Sequence, residues 1–299
     1  LGGSAEFDGT LVSVLQHRPP KSEVIVAHTA PYEDPYRLAD EVDFLHCPEA
    51  MSLVGLINVA LEAAASPIIH VLTCGLEATE GWTDAAAKLL ADDEIAAVAP
   101  AVMNVDDEQL LSAGVRLTSA GSRTVLRDQR LLAGGSGQMR ATIGAPTLAA
   151  GFYRRDVLDV IGGFDLAAGD GFADVDLAVK LRALELRTVL EPAARLVQTA
   201  DPLARSTSGA LARGRTSERL FWRSSPDMAW PLAMALHTFA ALADPAAIAG
   251  RLVALLEIGS AARHREKLAE AAGRLARLRS SKAQVKPTFA PAATRRLAA

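Results

Sequence analysis

Cysteine is almost missing: Cys47 and Cys74 are the only two in 299 residues, and no secretory signal is evident. Neither a disulfide framework nor a cysteine-based zinc site is therefore expected, and a reducing, cytoplasmic setting is the default. A membrane span is also lacking. The longest apolar stretch, "MAWPLAMALHTFAALA" (228–243), contains Pro231 and His237 and falls short of the roughly 20 residues that cross a bilayer. Positive charge is not in excess, since 31 Lys and Arg stand against 35 Asp and Glu for a net −4, which argues against a nucleic-acid binder. No G-x-G-x-x-G follows an early strand, which disfavours a dinucleotide-dependent oxidoreductase. No internal repeat is apparent.

What remains is half hydrophobic and 22% charged, enough to bury a full core, most economically as one large domain with an appendage. "SEVIVAH" (22–28), "PIIHVLT" (67–73) and "IAAVAPAVM" (95–103) read as buried strands. Between the first two, "SLVGLINVALEAAA" (52–65) has the length and Ala/Leu content of a helix. This β-α-β rhythm predicts a largely parallel sheet covered by helices. Residues 104–146 lack the rhythm and read as an excursion of short strands with a loop at "AGGSGQ" (133–138). After residue 200 the chain becomes Ala/Leu/Arg-rich and helical to about 279, and residues 280–299 read as a low-order tail.

One short stretch carries chemistry. "DGFADVDLAVKLR" (170–182) places Asp174 and Asp176 at the start of a helical run. Two readings stand on these residues alone: an active-site acid pair at a helix mouth, or an ordinary N-terminal cap in which carboxylate oxygens satisfy free backbone N–H groups.

Four segments, in order, resemble the family 2 nucleotide-sugar glycosyltransferases of the GT-A fold: "TLVSVLQHRPPKSEVIVAH" (10–28), "INVALEAAASPIIHVLTCGLEATEGW" (57–82), "AAGFYRRDVLDVIGGFD" (149–165) and "GFADVDLAVKLRALELRTVLEPAARLV" (171–197). The most specific part is GGFD followed by D-V-D-L-x-x-K-L-R. The resemblance implies an α/β, Rossmann-like GT-A domain over 1–204 with a mostly parallel sheet flanked by helices, a helical C-terminal extension over 205–279, and a tail. It further implies sugar transfer, with inversion, from a nucleotide-sugar donor to a glycan, lipid or protein acceptor. Family members open with a strand that would lie just before Leu1. Its absence would leave two unpaired edges in a parallel sheet, so that strand is expected either upstream or replaced by another segment.

By the same resemblance Asp174 matches the catalytic base, Asp176 caps or braces the helix, and Asp176, Thr73 and Gly75 are expected among the donor-binding residues. The metal-binding D-x-D turn falls on Thr73-Cys74-Gly75, the acidic residue before the base is Ala173, and the metal-side histidine falls on Gln198. Thr, Gly and Gln are a poor set for manganese or magnesium, so no metal ligand is assigned, although Glu77 lies close in sequence. The nucleobase end of the site is expected near His28, Glu33 and Asp34, where ligands reach the ends of strands. Cations to hold a departing diphosphate are sought in Arg205, Arg213 and Arg215, with Arg154 and Arg155 near the acceptor side. Leu220, Phe221, Trp222 and Trp230 would serve either as core of the extension or as the wall of an acceptor groove or lipid-facing surface. The basic amphipathic run 262–279 is open as an oligomer contact. Two functions follow: a family 2-like transferase with a degenerate metal site, or a non-catalytic glycosyltransferase-like binding or scaffolding domain.

Overall fold

The computed structural model describes residues 4–32, 34–118, 121–133, 142–201, 209–224, 234–235, 237–239, 242, 244–257 and 259–285. Glu33, Arg205, Trp230, most of the 133–138 loop and the tail beyond 285 lie outside the described residues.

The expected early elements are present: α1 (Ser4–His17), β1 (Ile25–His28), β2 (Asp43–His46), α2 (Leu53–Ala63), β3 (Ile68–Leu72), β4 (Leu76–Ala78), α3 (Asp84–Leu89) and β5 (Ile95–Met103). All nine residues of β5 are buried, as its unbroken apolar run requires of a strand covered on both faces. The excursion supplies β6 (Leu110–Ser112), β7 (Val115–Leu117), β8 (Arg123–Val125) and β9 (Thr142–Ile143). Then come β10 (Ala150–Arg154), α4 (Arg155–Ile161), α5 (Ala173–Ala183), β11 (Arg187–Gln198), α6 (Ala210–Ser224), α7 (Ile248–Leu255) and α8 (Gly259–Val285). The last helix runs past the expected boundary at 279.

The sheet is mixed, which corrects the expectation of a mostly parallel one. Its path is β3-β10-β5-β11-β4, with β6 on β5 and β9 on β11. Among the described strands only β5 and β11 pair in parallel within it; β10 runs against both β3 and β5, and β4 runs against β11. The reason is where the excursion ends. It returns the chain at the end of the sheet that β5 left, with Ala150 opposite Leu72, so β10 must run back, whereas a parallel neighbour needs a crossover to the opposite end.

The β1-α2-β3 rhythm does not build one sheet either. β1 pairs in parallel with β2 alone, and among the described strands β3 pairs only with β10. The two sheets are joined through Glu23, whose carboxylate accepts from the N–H groups of Ala65 and Ser66 at 2.9 and 2.7 Å. A hydrogen bond from the Ser66 side chain, with these backbone bonds added, holds the Glu23 carboxyl below its ordinary range.

The GGFD string serves architecture. Gly162 closes α4 in the left-handed conformation. Gly163 also has positive φ, and a Cβ there would sit 2.7 Å from the Asn58 carboxamide oxygen; Asn58 exchanges hydrogen bonds with the backbone of Phe164 in both directions. The helical extension shares the main core. Leu220 of α6 and Ala271 and Leu275 of α8 lie in one buried cluster with Val175, Leu177 and Leu181 of α5. Phe221 is buried, and Trp222 donates its indole N–H to Glu218.

Candidate functional site

α5 is enclosed nearly all round, with Ala173 through Leu181 buried, so the charges on it must find partners inside the protein. Its N-cap is Phe172, with no side-chain capping bond. Asp174 and Asp176 are therefore not N-caps, and each is consumed by a cation from a distant segment. Asp170, from the same stretch, caps a different helix: its carboxylate accepts from Leu53 and Val54 N–H at the start of α2.

Asp174 is fully buried. Arg123 of β8 grips it with Nε at 2.9 Å from Oδ1 and Nη2 at 2.7 Å from Oδ2. The Leu148 N–H donates to Oδ2 at 3.2 Å and the Val175 N–H to Oδ1 at 2.9 Å. Both oxygens are thus occupied by donors. Burial, with the Asp174 charge beside it, pushes the Tyr153 phenol up and keeps it neutral.

Asp176 is equally buried. It accepts from Arg223 Nη1 at 2.6 Å, and Lys180 Nζ lies 2.9 Å from its other oxygen. Arg223 also reaches Asp165 at 3.2 Å. Two acids and two bases thus tie α5 to α6 and to the segment after α4.

The turn on which the family's metal motif would fall is closed by the chain itself. Thr73 is buried and donates to the Ala149 carbonyl. The Gly75 N–H donates to Thr10 Oγ1 and the Ala78 N–H to Ser13 Oγ, both on α1. The Gly75 carbonyl accepts from the N–H groups of Thr199 and Ala200. Gly75 has φ +91°, and a Cβ there would meet the Ala200 carbonyl at 2.9 Å. Glu77 lies against Gly9 of α1, and Gln198 is paired with Leu76 in the β11–β4 ladder. Among the described residues no group of three His, Cys, Asp or Glu side chains could hold a metal ion. The manganese or magnesium that the fold family uses does not fit this turn.

His28 and Asp34 are likewise engaged. His28 is buried among Tyr32, Phe44 and His46, with Nδ1 2.7 Å from the Ala30 carbonyl. Asp34 caps a turn by accepting from Leu38 and Ala39 N–H. Arg215 pairs with Glu257, as does Arg219, and these guanidiniums, Arg215 foremost, hold the Glu257 carboxyl below its ordinary range. Arg154 is paired with Asp93 and Asp156, and Arg155 with Asp159.

One opening remains beside Asp174. A cavity of about 330 Å³ lies over Arg123, walled by Ser122, Gly171, Phe172, Arg213, Gly214, Ser217, Asp244, Ala247 and Arg251. Among the described residues expected to bind a donor, only Arg213 reaches it, there pairing with Asp244 at 3.3 Å. Arg251 and Ser217 are anchored behind it. Arg251 Nη1 lies 3.4 Å from Glu218 and 3.0 Å from His237 Nε2, and His237 lies 2.6 Å from Glu218 and stacks on Phe221. Burial raises the Glu218 carboxyl, but the bonds from His237 and Trp222 and the Arg251 charge outweigh it and hold the pKa below the ordinary value. The sequence reading missed Arg123 and Arg251: one lies in an irregular excursion, the other in an apolar helix, and nothing local marks either.

No protein-family model and no curated protein matches the sequence. Solved structures do resemble it. GalNAc-T7, solved with UDP, GalNAc and Mn2+, superposes over 77% of this chain with TM-score 0.52 and 14% identity; the chain spans half the length of that protein. The Pyrobaculum calidifontis mannosyltransferase PcManGT, solved with GDP-Man and Mn2+, superposes over 92% of this chain and 84% of its own, with TM-score 0.52 and 18% identity. TarS of S. aureus (1–349) superposes over 78% of this chain and 65% of its own, with TM-score 0.51 and 12% identity. At these identities the likeness establishes the fold, that of the GT-A glycosyltransferases. No described helix is long and apolar enough to cross a membrane.

Proposed function

We propose that this chain is a glycosyltransferase-fold domain that binds or scaffolds rather than transfers sugar. The observation that carries the reading is the state of Asp174: a base must reach the acceptor hydroxyl, and both oxygens of this carboxylate are held by Arg123 and by backbone N–H groups. The closed Thr73–Gly75 turn points the same way, because a leaving diphosphate needs a metal or free cations. A metal-independent, inverting transferase is the second reading. It is favoured by the cavity that brings Arg123, Arg213 and Arg251 together beside Asp174, and it requires Arg123 to release the carboxylate when substrate enters.

Calorimetry with UDP, UDP-GlcNAc and GDP-Man, with and without manganese, separates the readings, alongside an assay of donor consumption. No binding and no consumption under either condition is the expected result. Chelator-insensitive binding that weakens with salt, together with turnover, would favour the second reading. Tight, manganese-dependent binding would overturn both.

A further inference from the structure

We infer that α7 and the start of α8 form a docking surface for an anionic lipid bilayer, separate from the site beside Asp174. The first observation is a helix turned inside out. The large apolar side chains of a helix at a protein surface ordinarily face the core. Here the inward positions are Ala247, just before α7, with Gly250, Arg251 and Ala254, and they pack on α6. A Cβ at Gly214 of α6 would collide with the Ala247 carbonyl, and one at Gly250 with the Leu211 carbonyl. The two backbones therefore touch, with no room for larger side chains between them. The opposite side of α7 carries Ile248, Leu252, Val253, Leu255 and Leu256, from 37 to 89% exposed and with no charged residue among them. Phe239 and Leu242, 77 and 67% exposed, stand just before it in the chain. An apolar face of this kind marks a surface that something covers, and small residues that let helices close up while leucines face outward suit lipid surroundings.

Charge identifies the occupant. Residues 1–204 hold 15 Lys and Arg against 29 Asp and Glu, and residues 205–299 hold 16 against 6. A chain of net −4 is thus −14 in one part and +10 in the other. Arg263, Arg265 and Lys267 of α8 follow the apolar face directly; they are exposed and form no ion pair with another described residue. They lie about 6–12 Å along the helix from Gly259, the range over which an anionic bilayer attracts cations. A second copy of the chain is a poorer fit. A two-fold contact through this face would bring two strongly basic extensions together. A head-to-tail contact would need an apolar run on residues 1–204, where the large exposed apolar residues among those described, Val12, Tyr36, Val105 and Leu166, come one each from four separate segments. At 8 residues, α7 would lie along the bilayer with its leucines in the headgroup region and would not cross it.

The test is flotation of the full chain with vesicles of phosphatidylcholine alone and of phosphatidylcholine mixed with phosphatidylglycerol. The protein should float with the mixed vesicles and not with the neutral ones, and the bound fraction should fall as salt rises from about 0.05 to 0.5 M. A Leu252→Ser, Leu256→Ser double variant should bind mixed vesicles about tenfold or more weakly, and so should a triple variant with Arg263→Gln, Arg265→Gln and Lys267→Gln. All five side chains are exposed, so both variants should keep the parental melting temperature. Failure to float with mixed vesicles at low salt would overturn the inference, as would parental binding by either variant. Equal flotation with neutral vesicles would remove the role of charge and overturn it too. Sedimentation velocity without lipid tests the other occupant: a parental dimer that the leucine variant converts to monomer would overturn the inference in favour of a second copy. Nucleotide and sugar are absent from every arm, so none of these results bears on the donor-binding experiment above.

Discussion

Replacement of Asp174 by asparagine perturbs one buried ion pair and leaves the side-chain volume nearly unchanged. The carboxylate is 0% exposed and Arg123 is 20% exposed at its side chain. At an effective dielectric of about 20, unit charges about 4 Å apart attract by about 4 kcal/mol. Removing one partner of a buried pair costs about 3–5 kcal/mol, because the other charge is left behind. Two features reduce that cost here: Arg123 reaches solvent in part and recovers hydration, and the carboxamide keeps one acceptor for Leu148 N–H or for the guanidinium. A loss of about 2–4 kcal/mol follows, or roughly 5–10 °C in melting temperature for a chain of this size. Urea unfolding followed by tryptophan fluorescence measures it, and a double-mutant cycle with Arg123→Met should return a coupling of about 1.5–3 kcal/mol. Unchanged stability in Asp174→Asn would refute the reasoning. If donor-dependent turnover vanished at the same time, Asp174 would be a catalytic base after all.

Acid should unfold the protein through two half-buried histidines, His70 and His264. Burial between Trp82 and Phe152 lowers the His70 pKa to about 3, so stability is complete above the unfolded value near 6.5 and is lost progressively as pH falls toward about 3. His264, lowered to about 4 by burial with the Arg223 charge acting in the same direction, adds a second proton over an overlapping window. His70→Phe should reduce the slope of unfolding free energy between pH 6 and 4 by up to about 1.4 kcal/mol per pH unit; parallel pH profiles for variant and parent would exclude the assignment. Gly75→Ala should destabilise by about 1–3 kcal/mol through positive φ and the clash with Ala200, without altering the response to manganese. A variant whose nucleotide or metal affinity changed while its melting temperature did not would show that the turn is a ligand site.

The elements of this fold were legible because their causes are local. The apolar run 95–103 is β5 over the same residues, and the Ala/Leu content after Ser52 is α2, with the Ser52 hydroxyl accepting from Gly55 N–H. The ordered succession of motifs also pointed correctly to a GT-A domain. Strand direction was not legible, because it depends on the end of the sheet to which residues 104–146 return the chain, and nothing within β10 itself encodes that. The site was least legible of all. Asp174 and Asp176 stand two residues apart at one helix start, yet one is claimed by Arg123, 51 residues earlier, and the other by Arg223, 47 residues later. A local pattern shows that a buried acid needs a cation but not which of many arginines reaches it. The same limit hid the closing of Thr73 and Gly75: that their side chains make a poor donor set for a hard cation could be read from their types, whereas the hydroxyls of Thr10 and Ser13 that cover the turn are brought there only by the packing of α1 against β4.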